Sequence, residues 1–233
     1  MKTNKQSGFS LIELAVAMFI LVLILGSILV PLGTQVEQRQ TSDTQRILDE
    51  AREALIGFAL INGRLPRPAT SSADGAENPS VCATDAACTG FIPWTTLGTT
   101  KTDAWGKIIR YSVTPTFANS AFSYATLTTG ATKTVQTRNS AGLLTNLATS
   151  VPAVLFSHGL RFYGTTDNGF AVADSLDTTN TDEDTNNTAS TLFVMRPASR
   201  NSVSPGGEFD DIVIWISTST LASRIANAGK LPN

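Results

Sequence analysis

Phe9 to Val30 forms an apolar run, FSLIELAVAMFILVLILGSILV, broken by a single charge at Glu13. At ~1.5 Å per residue, a helix of that length reaches about 33 Å, enough to cross the hydrocarbon core of a bilayer. The pattern changes beyond it. Pro31 and Gly33 interrupt, and the chain turns polar from Thr34. Ile47, Leu48, Ala51, Ala54, Leu55, Phe58 and Ala59 then recur at helical spacing. Asn62-Gly63 supplies a stop, with Pro66 and Pro68 behind it. These signals predict one helix from Phe9 to near Ile61, kinked or locally melted at Pro31 and Gly33. Its first half is apolar all round, and its second half carries one apolar stripe suited to docking on a globular head.

A polar stretch, 66–90, follows the helix. Strand-like runs come next at 108–114, 121–128, 151–157, 169–173, 191–195 and 211–217. Ile109, Tyr111 and Val113 alternate with more polar neighbours, as in a half-buried antiparallel strand. Ile212, Ile214 and Ile216 interleave with Val213 and Trp215, so the last strand is predicted to be buried on both faces. A short helix is predicted at 219–228, with Leu221, Ala222 and Ile225 inward and Gly229 as its stop. The predicted class is α+β, a long N-terminal helix packed on an antiparallel sheet.

The leader changes the reading of the first helix. A secretory signal has an apolar stretch of roughly 7–15 residues followed by a small-residue cleavage site. This run is longer, and no such site follows it. The small-residue junction lies before it, at Gly8-Phe9, behind a leader carrying Lys2 and Lys5. Cleavage there leaves the helix on the mature chain. A carboxylate inside such a span is costly without a partner, which makes Glu13 a functional residue by expectation.

Gly8-Phe9-Ser10-Leu11-Ile12-Glu13-Leu14 resembles the processing site of type IV pilins and type II secretion pseudopilins. The resemblance implies that a prepilin peptidase cuts after Gly8 and methylates the new amine of Phe9. It further implies that Glu13 pairs with the N-terminus of a neighbouring subunit, on an inner-membrane assembly platform, to direct docking into a helical filament. A buried carboxylate and a buried ammonium are each expensive alone and cheaper together. The organisation this implies is leader 1–8, spanning and filament-core helix 9–30, amphipathic continuation 31–61, and β-rich head 62–233. The likeness extends into the head. Asp103-Ala104-Trp105-Gly106 with Ile109-Arg110-Tyr111 is similar to the D-x-W-G…Y block of pseudopilins and minor pilins. Leu65-Pro66 and Phe209-Asp210-Asp211-Ile212-Val213-Ile214-Trp215 fit the same proteins. The cysteines sit early, unlike the pair that brackets a C-terminal loop in many major pilins, and the head is larger than that of a typical major pseudopilin.

Charge and composition narrow the function. About 200 residues lie beyond the span, enough for one domain with a core. Loss of Lys2 and Lys5 with the leader takes the net charge from −2 to −4. Basic residues are scattered, so nucleic-acid binding is not indicated. The basic leader places the N-terminus in the cytoplasm and the bulk of the chain outside it, and the resemblance implies a single-pass inner-membrane protein with its head in the periplasm before assembly.

Three groups of residues are candidates for chemistry. Cys82 and Cys88 are the only cysteines and, in an oxidising compartment, close a small disulfide loop. With one histidine and no second cysteine pair, zinc is disfavoured. Asp174, Asp177, Asp182, Glu183 and Asp184 cluster in one polar stretch, and Glu208, Asp210 and Asp211 in another. Calcium takes six to eight oxygen ligands, so Asp174, Asp177, Asp182, Asp184, Asp210 and Asp211 are candidate ligands, a solvated acidic loop being the alternative. Major pseudopilins carry a calcium in a comparable C-terminal loop, so the resemblance adds weight to calcium, while a solvated acidic loop is the commoner case. Ser157-His158 is the only arrangement that hints at nucleophilic catalysis. Neighbours on a strand point to opposite faces, so it is poorly placed and no enzymatic activity is expected. The expected function is a minor pilin or pseudopilin subunit of a type IV pilus or type II secretion pseudopilus. The alternative is a membrane-tethered periplasmic binding module that does not polymerise.

Overall fold

The computed structural model describes residues 10–174 and 178–230, and of residues 25–32 the backbone only. Gly8, Phe9 and Asp177 lie outside the described residues. The first helix, α1 (Leu11–Asn62), continues through Pro31 and Gly33 without a break in its assignment. The chain divides into two compact units within it, between Gln40 and Thr41. In the first unit the described apolar side chains are exposed, from Leu11 at 88% to Ile24 at 53%.

The second unit is α+β. From Thr41 onward α1 buries Leu48, Ala51, Leu55, Ile56 and Ala59, while Ile47, Ala54 and Phe58 are half-buried. This stripe meets an antiparallel sheet built from β1 (Thr89–Phe91), β2 (Arg110–Val113), β5 (Ala153–Ser157) and β7 (Ile212–Ile216), in the order β1-β2-β5-β7. Ile109, Tyr111, Val113, Ala153, Leu155, Ile214 and Ile216 line the helix-facing side. Leu221 and Ile225 of α6 (Thr218–Asn227) complete that core. The alternate residues Val154, Phe156 and Val213 enter a second apolar cluster with Val135, Val151 and Phe193. Strand β5 is therefore buried on both faces, and β7 nearly so, with Trp215 half-buried.

The second cluster belongs to a smaller sheet of β3 (Lys133–Arg138), β4 (Leu144–Val151) and β6 (Leu192–Val194), ordered β4-β3-β6. Here β3 and β6 run parallel, so the head is not purely antiparallel. The β3–β4 hairpin closes on Asn139, whose Oδ1 accepts from the amides of Ala141 and Leu143, with Gly142 at φ +77°.

Three local expectations are corrected. Residues 121–128 do not form a strand. Ser123 accepts from the Thr126 amide and starts a short helix, α4 (Tyr124–Thr129). Residues 169–173 carry one isolated bridge, Thr165–Ala171, in a tight hairpin. The acidic stretch is no solvated loop over its whole length, because Thr181–Thr188 is a helix, α5, that buries Asp182, Glu183 and Asn186. Two further short helices, α2 (Trp94–Leu97) and α3 (Pro115–Asn119), flank β2.

Candidate functional site: the helix start and a buried polar centre

Ser10 and Glu13 cap the start of α1. Glu13 Oε2 accepts from the Ser10 amide at 2.9 Å and from the Ser10 hydroxyl at 3.0 Å. The Glu13 amide in turn donates to Ser10 Oγ at 3.3 Å. This is a capping box, Ser at the cap and Glu three residues on. Sequence reading left out this cap, although S-x-x-E ahead of an apolar run is the signal that carries it. Among the described residues no helix is long and apolar enough to cross a membrane. The apolar run 9–30 includes Phe9 and the side chains of 25–30, which lie outside them.

In the head, the Asp103-Ala104-Trp105-Gly106 turn fixes the entrance to β2. Asp103 Oδ1 accepts from the amides of Trp105 and Lys107, both at 2.9 Å, and Gly106 takes φ +79°. Asp103 Oδ2 accepts from the Ser157 hydroxyl at 2.5 Å. The Ala104 amide donates to Thr44 Oγ1 on α1 at 3.2 Å, which ties the turn to the helix. Burial raises the Asp103 pKa, and hydrogen bonds from Ser157, Lys107 and Trp105 oppose the rise.

His158 faces the other way from Ser157. Its Nδ1 lies 3.3 Å from Asp211 Oδ1, with both side chains buried. Asp211 Oδ2 accepts from Asn186 Nδ2 at 2.7 Å. Asn186 also receives the Val194 amide, so this carboxylate is built into the junction of α5, β6 and β7. Glu183 Oε1 accepts from the Asp210 amide at 2.8 Å, and Asp210 Oδ2 accepts from the amides of Leu160 and Arg161. Oxygens of Glu183, Asp210 and Asp211 lie within 4.8 Å of one another. Burial and then the neighbouring Asp211 and Asp210 push the Glu183 carboxyl up to about 8, and Asp210 is raised by burial and by Asp211. Lys107 is the nearby cation. Its Nζ donates to the carbonyls of Phe162 (2.8 Å) and His158 (3.3 Å), and burial lowers its pKa.

Of the five candidate metal ligands among the described residues, the structure brings Asp210 and Asp211 together, and it adds Glu183. Asp182 is engaged by two guanidinium groups, Arg138 at 2.7 Å and Arg196 at 2.6 Å. Asp184 accepts from the Tyr163 hydroxyl, and Asp174 from Asn180 Nδ2. The donor set around Glu183 fits a hard cation in part. Asp210 Oδ1 and Asn180 Oδ1 are buried without partners, while the other carboxylate oxygens already accept hydrogen bonds. Glu183 is the residue that sequence reading left out of the ligand set.

Cys82 and Cys88 are joined by a disulfide, with Cα atoms 5.2 Å apart. The loop between them presents Asp85, whose Oδ1 accepts from Lys133 Nζ and from Thr132 Oγ1, both at 2.6 Å. Lys133 is fully buried, and its Nζ also donates to the Ser190 carbonyl.

Residues 3–29 match the prokaryotic N-terminal methylation motif, which is characteristic of type IV pilins and pseudopilins. Comparison with curated proteins and with solved structures gives no match.

Proposed function

We infer, on the premise that residues 3–29 mark a type IV pilin-like precursor, that this chain is a minor pilin or pseudopilin of a type IV pilus or a type II secretion pseudopilus. The observation that carries the reading is the methylation motif with Glu13 inside its apolar helix. A prepilin peptidase cuts between Gly8 and Phe9 and methylates the Phe9 amine. The apolar helix holds the chain in the inner membrane, with the head in the periplasm, until an assembly platform draws it into a filament. There Glu13 pairs with the Phe9 ammonium of a neighbouring subunit, and the exposed residues from Leu11 to Ile24 pack between helices in an open helical assembly. The reading assigns the chain no catalytic step. Glu13→Ala should leave the folding of the head unchanged and reduce recovery in sheared filaments by about 10-fold or more, the consequence of burying an unpaired ammonium. Undiminished incorporation of Glu13→Ala contradicts this reading and favours a tethered binding module.

We propose a divalent cation, calcium by the hardness of its donors, at Glu183, Asp210 and Asp211 as a second property of the head. Support comes from the clustering of the three carboxylates and from Asp210 Oδ1, which is buried without a partner. Calcium should raise the Tm of the head at pH 8 and far less at pH 6, where Glu183 retains its proton. No shift at pH 8 contradicts it.

A further inference from the structure

Strand β2 alternates between two environments. Tyr111 and Val113 enter the helix-facing core, while Arg110 and Ser112 stand on the opposite face of the sheet. Arg110 sits directly across from Phe156 on β5 and Phe91 on β1. Its guanidinium carbon lies 5.4 Å from the Phe91 ring centroid. Its Nε is buried and has no hydrogen-bond partner. Other half-buried arginines of the head are neutralised: Arg64 and Arg67 by Glu77, Arg138 and Arg196 by Asp182, and Arg161 by Glu208. Among the described residues no carboxylate pairs with Arg110. Burial alone acts on it and disfavours its charge.

A guanidinium withdrawn from water without a counter-charge is a costly feature for a fold to keep. Arg110 borders a cavity of about 320 Å³, lined also by His158, Tyr163, Thr165, Asp174 and Asn187. The wall is closed by the tight hairpin 164–172, in which the Val172 amide donates to the Gly164 carbonyl and the Thr166 amide to the Phe170 carbonyl. Tyr163 lines the wall with its backbone at φ +55°, a conformation that non-glycine residues adopt at a cost, and its hydroxyl is held by Asp184. The cavity therefore combines a fork of unused N–H donors, a carboxylate at Asp174, and the polar groups of His158, Tyr163, Thr165 and Asn187. Guanidinium binds planar oxyanions through two parallel hydrogen bonds. Asp174 in the same cavity repels a second negative charge on the ligand and accepts a donor instead.

We propose that this cavity binds a small monocarboxylate that also carries a hydroxyl or ammonium donor, with Arg110 seating the carboxylate and Asp174 taking the donor. A sugar acid and an amino acid share that chemistry, and they differ in which donor reaches Asp174.

The test uses the full chain in detergent micelles, with glucuronate and alanine as probes and glucose and sodium chloride as controls. The readout is the Nε–H resonance of Arg110, assigned by its absence from the Arg110→Gln spectrum. Saturable movement of that resonance with glucuronate or alanine, absent with glucose and with chloride at equal ionic strength, is the expected result. Followed through the backbone amides of the lining residues Gly164 and Thr165, which both proteins share, binding of the same probe should weaken about 10-fold or more in Arg110→Gln, as expected for loss of a charge-assisted pair. Whichever probe binds identifies the donor that Asp174 accepts. Arg110→Gln should keep the Tm of the wild type or exceed it, because it removes an unpaired buried charge. Movement that chloride reproduces, no movement with either probe, or equal binding by Arg110→Gln overturns the proposal.

Discussion

Ser10 and Glu13 satisfy each other at the start of the helix: Glu13 accepts from the Ser10 amide and hydroxyl, and the Ser10 hydroxyl accepts from the Glu13 amide. The carboxylate that the assembly reading commits to a neighbouring subunit is thus already partnered within its own chain. This solves a problem for the unassembled subunit, since a lone carboxylate in an apolar helix is expensive. It also sets an order of events. A neighbour's ammonium need only add to Glu13, which has four lone-pair sites, without displacing Ser10.

Ser10→Ala separates the two roles. It removes the cap but keeps the Glu13 charge, at a cost of about 1 kcal/mol to the first turn. The head should keep its Tm, and filament recovery should stay within about twofold of wild type, far above that of Glu13→Ala. Quantitative recovery of both variants in sheared filaments checks this. Equal loss in the two variants would show that the cap, not the charge, directs assembly.

The buried acid centre makes the head sensitive to alkali. Glu183 is pushed from 4.5 to about 8, and Lys107, Asp210, Asp211 and Asn180 are the groups around it. The folded state keeps a proton that the unfolded chain releases near pH 4.5, so the stability this group contributes is complete below that pH and is lost as pH rises toward 8. In EDTA, Tm should fall by roughly 5–10 °C between pH 5 and pH 8.5. Glu183→Gln should flatten the dependence. A Tm that rises with pH, or the same slope in Glu183→Gln, contradicts the assignment.

Lys133 depends on the disulfide loop. Its ammonium is fully buried and pairs with Asp85, between the two cysteines. Asp85→Asn leaves that charge with the Ser190 carbonyl alone and should cost about 2–4 kcal/mol by denaturant unfolding. Lys133→Met added to Asp85→Asn should recover most of the loss. Reduction of Cys82–Cys88 releases a short loop and should cost about 2 kcal/mol. A double variant no more stable than Asp85→Asn would show that packing, not charge pairing, sets the effect.

The parts of the fold legible in the sequence are those that bury apolar residues at a regular period. The stripe at Leu48, Ala51, Leu55 and Ala59, the alternation in β2 and the continuous apolar runs of β5 and β7 belong to this class. Of the smaller sheet, β6 lies within the predicted run 191–195, while β3 and β4 were missed because each contributes one fully buried apolar residue, Val135 and Val151. Helix α5 was missed for the converse reason. Its inward residues are Asp182, Glu183 and Asn186, held by arginines, backbone amides and Asp211. No hydrophobic periodicity announces a helix whose buried face is polar. The acidic cluster could be read as a site but not resolved into members, since Asp182 meets Arg138 and Arg196 only through long-range pairing. The order Ser157-His158 was informative, because neighbours on a strand diverge: Ser157 goes to Asp103 and His158 to Asp211.

The central claim is processing at Gly8-Phe9 followed by assembly through the helix. N-terminal peptide mass spectrometry on native membranes and on sheared surface filaments tests it most directly. The account predicts a chain that begins at N-methylated Phe9 and is present in a filament, with recovery in sheared material favouring a pilus over a periplasmic pseudopilus. A chain that retains the Met1–Gly8 leader and occurs in membranes alone would contradict it.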